Sequence, residues 1–149
     1  MKKFNFNLKA LLNFRKQQEE EAQREMMLAR QQLQKILGIL EHLEHECTLL
    51  EEDLRNKQGG KQNIEEYRSH YFYLQDLRQK IQSHQDRVME AQNLVEKKRQ
   101  AVNQAMQNKK IIENIHEKQY SEWKSEYEKL ESKLSDELST IRHIRNKEL

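Results

Sequence analysis

The chain has 149 residues, of which 35% are charged and 35% apolar, and it carries a net charge of +2. Typical globular domains are about 25% charged and 45–50% apolar, so this composition excludes a compact domain with one large core. The near-balance of charge also argues against bulk attraction to nucleic acid or to an anionic membrane.

Residues that break helices are almost absent from the chain. It has no proline, and two of its three glycines are adjacent, at Gly59 and Gly60. Because glycine ends helices and proline disrupts them, this pattern predicts two very long helices joined by one reversal. We expect one domain over residues 1–149, with helix one at about 7–58, a turn at 59–63 and helix two at about 64–147. The expected N-caps are Asn7 and Asn63.

Helix one carries an unbroken heptad pattern between Ala22 and Leu54. Apolar residues recur there at alternating steps of four and three, which is typical of a coiled-coil seam. The members of this seam are Ala22, Met26, Ala29, Leu33, Ile36, Leu40, Leu43, Cys47, Leu50 and Leu54. A turn centred on 59–60 would place the acidic triplet 19–21 opposite the basic triplet 97–99. That match predicts antiparallel pairing within one chain.

Helix two is predicted to extend beyond helix one, leaving roughly the last 35 residues without an intrachain partner at coiled-coil spacing. This segment still has an apolar stripe, formed by Ile112, His116, Tyr120, Trp123, Tyr127, Leu130, Leu134, Leu138 and Ile141. An uncovered apolar stripe indicates a partner protein, with self-association as the alternative. The predicted fold is all-α, a long antiparallel two-helix coiled-coil hairpin with an overhanging C-terminal helix.

Two stretches of sequence together suggest a family. The first is the opening motif Phe4-x-Phe6-x-Leu8-x-x-Leu11-Leu12-x-x-Arg15, and the second is the aromatic-rich run from Ile64 to His84. With its length near 150 residues, the chain resembles the flagellar FliJ family, whose type III secretion relatives are the YscO-like stalk proteins. The resemblance covers essentially the whole chain.

The resemblance implies a function in flagellar protein export. It implies a central stalk that enters the hexameric ring of the export ATPase, much as the gamma subunit does in rotary ATPases. It also implies contact with the membrane export gate protein and handling of export chaperones. The expected location is cytoplasmic, peripheral at the cytoplasmic face of the inner membrane. The alternative is a structural coiled-coil scaffold or adaptor that self-associates through its C-terminal overhang.

One candidate contact surface lies at the start of helix two, where clustered aromatic residues are of the types that anchor interfaces. We expect the gate or chaperones to bind Tyr71, Phe72, Tyr73, Leu77 and His84. The resemblance implies the gate-facing role for Tyr73, Leu77 and His84. The alternative is a locally widened core beside the turn, because two stripes overlap here and a two-stranded coil needs only one. Phe72 belongs to neither stripe and is expected to point outward. The stripes are Tyr67, Tyr71, Leu74 and Ile81, and His70, Tyr73, Leu77, Lys80 and His84.

A second candidate surface combines basic and aromatic residues at the open end of the predicted hairpin. Like charges gathered there favour an acidic partner such as a carboxylate-lined ring. The residues expected to contact the ATPase ring are Lys9, Arg15, Lys109, Lys110, Tyr120, Trp123 and Tyr127. The alternatives are a solvated helix face and, less favoured, nucleic-acid binding, for which no aromatic residues interleave the basic ones.

The sequence does not indicate catalysis or a cofactor. His42 and His45 lie near several glutamates, but a third metal ligand at a suitable spacing is missing. It contains no phosphate-binding loop and no nucleophile elbow. We therefore expect a non-enzymatic protein without metal or cofactor.

Overall fold

The computed structural model describes residues 3–57 and 63–148 and contains two long helices. Helix α1 spans Lys9–Lys57 and helix α2 spans Ile64–Glu148. The two helices pack against each other, which confirms the predicted all-α class. The glycines expected to form the turn, Gly59 and Gly60, lie outside the described residues.

Backbone and side-chain hydrogen bonds define where each helix begins. Asn7 and Leu8 form a turn, and the Leu8 carbonyl accepts the Leu12 N–H at 2.9 Å, so α1 starts beyond the predicted cap at Asn7. At α2, the Asn63 side-chain oxygen accepts the Glu65 N–H at 3.1 Å. A side-chain acceptor at this position satisfies one of the free N–H groups of the first turn, as expected of an N-cap.

The chain divides into two units that each combine residues from the two halves of the sequence. The middle unit is Glu20–Asn103, and the terminal unit joins Met1–Glu19 to Gln104–Leu149.

In the middle unit, the heptad seam predicted for α1 is buried or half-buried at every position. Its partner on α2 also alternates steps of three and four, through Tyr67, His70, Leu74, Leu77, Ile81, His84, Val88, Ala91, Val95 and Lys98. The core cluster contains Cys47, Leu54 and Leu74. Burial raises the pKa of the Cys47 thiol, and the nearby Glu51 carboxylate raises it further. This cysteine is therefore a packing residue, as its seam position predicts.

Ion pairs between the helices show that the middle unit is antiparallel. Glu25 lies 3.0 Å from Lys98, and Glu51 lies 3.1 Å from Arg78. The predicted pairing of triplet 19–21 with triplet 97–99 is wrong, because Lys98 pairs with Glu25, four residues beyond Glu21. Exposed ion pairs contribute little free energy, so the apolar layers of the seam determine the register and the charges adapt to it.

In the terminal unit, the segment before α1 packs onto α2. Phe6 is buried, and its ring lies 4.7 Å from the His116 ring. Phe4 contacts the rings of Tyr120 and Trp123 as well.

These contacts correct the predicted start of the overhang. Ile112 is buried, and His116, Tyr120 and Trp123 all contact residues of their own chain. The predicted overhang was too long because pairing was counted only as far as helix one, whereas residues 4–6, which are not helical, reach further along α2. From 124 to 148, every described residue is exposed.

Candidate protein-docking surfaces

The aromatic patch, defined as Tyr71, Phe72 and Tyr73, is an exposed surface at the start of α2. Phe72 is 61% exposed, as predicted, and the two neighbouring tyrosines are also exposed. The Tyr71 and Phe72 rings meet edge to face at 6.4 Å, and the Arg68 guanidinium lies 6.0 Å from the centre of the Phe72 ring. Aromatic and arginine side chains are the types most enriched at interface hot spots.

Fixed charges from α1 border the aromatic patch. The Tyr73 hydroxyl donates a hydrogen bond to the Glu46 carboxylate, and this bond raises the pKa of the phenol. Arg78 donates to Glu51 at 3.1 Å and lowers the pKa of that carboxyl. The patch is thus an apolar surface with a defined polar edge, which is the usual anatomy of a protein interface.

Leu77 and His84, the other two residues predicted for this surface, are less accessible. Leu77 is only 1% exposed and packs in the seam beneath the patch. The sequence showed two overlapping stripes here, and the seam takes residues from both, including Leu74 and Leu77. His84 is half-buried, and its Nδ1 lies 3.0 Å from the Lys80 carbonyl oxygen.

A groove that the sequence analysis missed runs beside His84 in the middle unit. It has a volume of about 570 Å³, and its lining includes Ile39 and Leu94 with Lys35 and Arg87. Ile39 and Leu94 are exposed apolar residues that flank the seam. In the sequence, Ile39 and Leu94 each come one residue before a member of the seam, Leu40 or Val95, and this spacing could have predicted an apolar surface beside the seam. The groove joins apolar walls to basic side chains.

The basic residues predicted for the ATPase ring fall into two groups in the terminal unit. Lys9 and Lys110 are exposed. Lys109 is largely covered, with its Nζ 2.5 Å from Glu19 and 3.9 Å from Glu113. The Arg15 Nε is buried and has no hydrogen-bond partner among the described residues. Lys109 and Arg15 therefore belong to a polar layer of the helix pair, whereas Lys9 and Lys110 face solvent.

The aromatic residues predicted to contact the ATPase ring belong to a larger set of packed aromatic side chains in the terminal unit. Tyr120 and Trp123 stack at 5.9 Å, and Trp123 and Tyr127 stack at 5.5 Å. Phe4 packs against this stack with its centroid 5.3 Å from that of Tyr120. We call Phe4, Phe6, His116, Tyr120 and Trp123 the N-terminal cluster. Tyr127 continues its stack, and a hydrogen bond to Glu131 raises the pKa of the Tyr127 phenol.

A small groove of about 280 Å³ lies next to the N-terminal cluster. Its lining includes Phe4, His116, Lys9 and Lys16. Apolar walls beside two lysines are suited to an acidic segment that also carries an apolar side chain. Lys9 was predicted for this surface, but the contribution of Phe4 and Phe6 was not, because residues outside a helix show no helical periodicity in the sequence.

Within the described ranges 3–57 and 63–148, no three His, Cys, Asp or Glu side chains converge on a point where a metal ion could bind. Across the same residues, neither helix contains a stretch apolar enough to cross a bilayer.

Comparisons with known proteins agree with the geometry. The model of the family described as Flagellar FliJ protein matches residues 4–148. Searches of the curated proteins and of the solved structures return no match to this chain. The matched range contains both helices, the aromatic patch and the N-terminal cluster. The chain therefore belongs to the flagellar FliJ family, which makes it a component of the flagellar export apparatus.

Proposed function

We propose that this protein is a non-enzymatic central-stalk component of the flagellar type III protein-export ATPase complex. In this function it links the ATPase ring to the membrane export gate and escorts export chaperones, at the cytoplasmic face of the inner membrane. The observation that carries the proposal is the family match over residues 4–148, together with two separate exposed surfaces of interface type.

The terminal unit supplies the proposed contact with the ring. Lys9 and Lys110 are exposed, and so are Tyr120 and Tyr127, which belong to the stack of aromatic side chains. Cations beside aromatic rings favour a partner lined with carboxylates. Arg15, Lys109 and Trp123 support this surface from inside the unit, because each is partly covered by its own chain.

The middle unit supplies the proposed contact with the gate or with chaperones. Tyr71, Phe72 and Tyr73 form its exposed part, His84 lies at its edge, and Leu77 holds the seam beneath it. Interfaces of this kind usually depend on a few aromatic anchors. Phe72 is therefore expected to contribute most, since it is the most exposed of the three rings.

The proposed mechanism is asymmetric contact. One chain cannot touch six equivalent ATPase subunits in the same way, so it stabilises some conformations of the ring over others. A binding partner shifts such an equilibrium only through its different affinity for the two states. The stalk would thus promote ring assembly and bias the order of hydrolysis without performing any chemistry.

Two sets of variants test the two surfaces independently. Lys9→Glu with Lys110→Glu should abolish stimulation of the flagellar export ATPase and co-sedimentation with its hexamer. Tyr71→Ala with Phe72→Ala should keep both and lose binding to the cytoplasmic domain of the gate protein. The controls are Lys35→Glu and Leu49→Ala, which change an exposed lysine and an exposed apolar residue of the middle unit.

The outcome separates the stalk from a scaffold. A wild-type chain that leaves the ATPase rate unchanged at saturating concentration would rule out the stalk. If both sets of variants weaken both partners equally, the assignment of separate surfaces is wrong. The scaffold alternative predicts self-association without any effect on the ATPase.

A further inference from the structure

The exposed part of α2 in the terminal unit has a spacing that is symmetric about Leu134. Going outward from Leu134, its apolar neighbours lie four residues away, at Leu130 and Leu138, and then three more, at Tyr127 and Ile141. The next step of four reaches Trp123 on one side and Arg145 on the other. We call Tyr127, Leu130, Leu134, Leu138 and Ile141 the C-terminal stripe.

This stripe has a different period from the seam that pairs α1 with α2. The seam alternates steps of three and four, whereas the stripe has two consecutive steps of four meeting at Leu134. The two spans that contain both steps of four, 127–138 and 130–141, therefore each join residues that are eleven positions apart, which corresponds to three turns of a nearly straight helix. A stripe with this period matches a second helix of the same period better than it matches a seven-residue seam.

The C-terminal stripe is accessible along its whole length. Leu134 is 54% exposed, and the other four members are exposed as well. A continuous run of large apolar side chains on the surface marks an interaction site more often than chance exposure does. The symmetric spacing then restricts which partner it fits.

We propose that the C-terminal stripe binds a second copy of this chain as an antiparallel helix pair, with a twofold axis at Leu134. In that arrangement Leu134 meets Leu134, Leu130 meets Leu138, and Tyr127 meets Ile141. All five layers are then apolar, because a twofold axis presents the same surface from both partners. At the two ends, Trp123 lies opposite Arg145, a pair suited to cation–π contact.

The charges beside the stripe agree with the antiparallel orientation. Helical geometry places two pairs of opposite charge on the same side and at nearly the same level: Glu128 with Arg142, and Lys133 with Glu137. Each pair occurs twice in the dimer. Against these, Lys124 lies near the second copy's Arg142, and Glu122 lies near the second copy's Glu148. A parallel pair would instead place Arg145 beside its own copy, which like-charge repulsion disfavours.

The proposed dimer goes beyond the function proposed above and does not depend on it, because no ATPase takes part. It is a property of the free protein. It would cover Tyr127, which is also a proposed ring contact, so a chain in the dimer would have to separate before it could use that contact. This consequence rests on the proposed function, whereas the dimer itself does not.

Sedimentation equilibrium of the full chain gives the primary test. From about 1 to 200 µM, the weight-average mass of the wild type should rise from one chain toward two, as a small isologous interface allows. Leu134→Arg should stay at one chain throughout. The control is Leu28→Arg, which changes an equally exposed leucine of the middle unit and should behave as the wild type. A wild type that stays monomeric, or a Leu134→Arg variant that still dimerises, would overturn the proposal.

Cross-linking tests the orientation. With Cys47→Ser as background, chains carrying Tyr127→Cys should form disulfides with chains carrying Ile141→Cys, and neither should do so alone. Ser132→Cys, on the opposite side of α2, should remain unlinked. Efficient cross-linking of Tyr127→Cys to itself would indicate a parallel pair and would contradict the inference.

A charge reversal tests the register. Glu128→Arg should weaken the dimer by about threefold or more, because it faces Arg142 of the second copy on both sides of the axis. Adding Arg142→Glu in the same chain should restore the affinity. These two residues are too far apart in sequence to meet on one helix, so restoration can arise only between chains, and its absence would refute the register.

Discussion

Two stretches of α2 have similar amino-acid patterns but different surroundings. Residues 67–98 belong to the middle unit, where their apolar seam is buried or half-buried against α1. Residues 124–148 belong to the terminal unit, where every described residue is exposed, including five leucines and isoleucines. The comparison shows that an amphipathic pattern defines a face of a helix, and that burial of this face requires a partner.

The two stretches also differ in period, which makes their partners different. The seam of the middle unit repeats every seven residues, as in a left-handed coiled coil. The C-terminal stripe repeats after eleven, a spacing that suits a straighter pair. Trp123, Tyr127, Leu130 and Leu134 still follow the seven-residue pattern, and the second step of four, from Leu134 to Leu138, interrupts it.

Truncation of a leucine in each stretch should give the largest contrast. Leu77→Ala removes a side chain that is 1% exposed and is expected to lower the free energy of unfolding by about 2–5 kcal/mol. Leu134→Ala, at low micromolar concentration, should change it by about 0.5 kcal/mol or less. Urea denaturation followed by far-UV circular dichroism measures both. Equal effects would mean that 124–148 is part of the intrachain core after all.

Truncation of Phe4 should show whether the covered part of the terminal unit extends as far as Trp123. Phe4 packs 5.8 Å from Trp123, the single tryptophan of the chain. Phe4→Ala should shift Trp123 emission to longer wavelength and increase its quenching by acrylamide. Little helix should be lost, since residues 4–6 precede α1 and are not helical. Phe14→Ala, an exposed phenylalanine of the same unit, is the control. Unchanged emission would show that Phe4 does not cover the indole.

Gly38→Ala should stabilise the middle unit. Gly38 lies inside α1, and a Cβ atom built on it meets no atom within 4 Å. Alanine reduces the conformational entropy of the unfolded chain and has a higher helix propensity, so a gain of about 0.5–1 kcal/mol is expected. Thermal denaturation measures the gain. A lower melting temperature would indicate a close approach at Gly38 that the open surroundings do not suggest.

The smallest expected effect is the pH dependence contributed by Glu51. Arg78 lowers the pKa of the folded Glu51 carboxyl, so the unfolded chain binds its proton more readily. The stabilisation is present above the ordinary glutamate pKa of about 4.3 and is lost as pH falls through the lower folded value. Glu51→Gln should make the acid limb of the stability curve less steep. The pair is partly exposed, so the change is small, and a steeper limb in the variant would contradict the assigned direction.

The pattern of residues predicted much of the fold and part of the candidate sites. The heptad steps from Ala22 to Leu54 identified the seam of α1, and the position of Phe72 off both stripes predicted its exposure. The separation between buried and exposed candidates was not predictable in the same way. Leu77 and Lys109 were both expected to lie on contact surfaces. In the structure, Leu77 packs in the seam and Lys109 pairs with Glu19.

The sequence by itself determined that this protein is two long helices with a seven-residue seam, because periodicity and the absence of breakers act locally along the chain. Only the tertiary structure decided the register of the pair, the placement of Phe4 and Phe6 on α2, and the point beyond which α2 is exposed. These features depend on side-chain volumes meeting across distant segments, and no local pattern in the sequence records those distances.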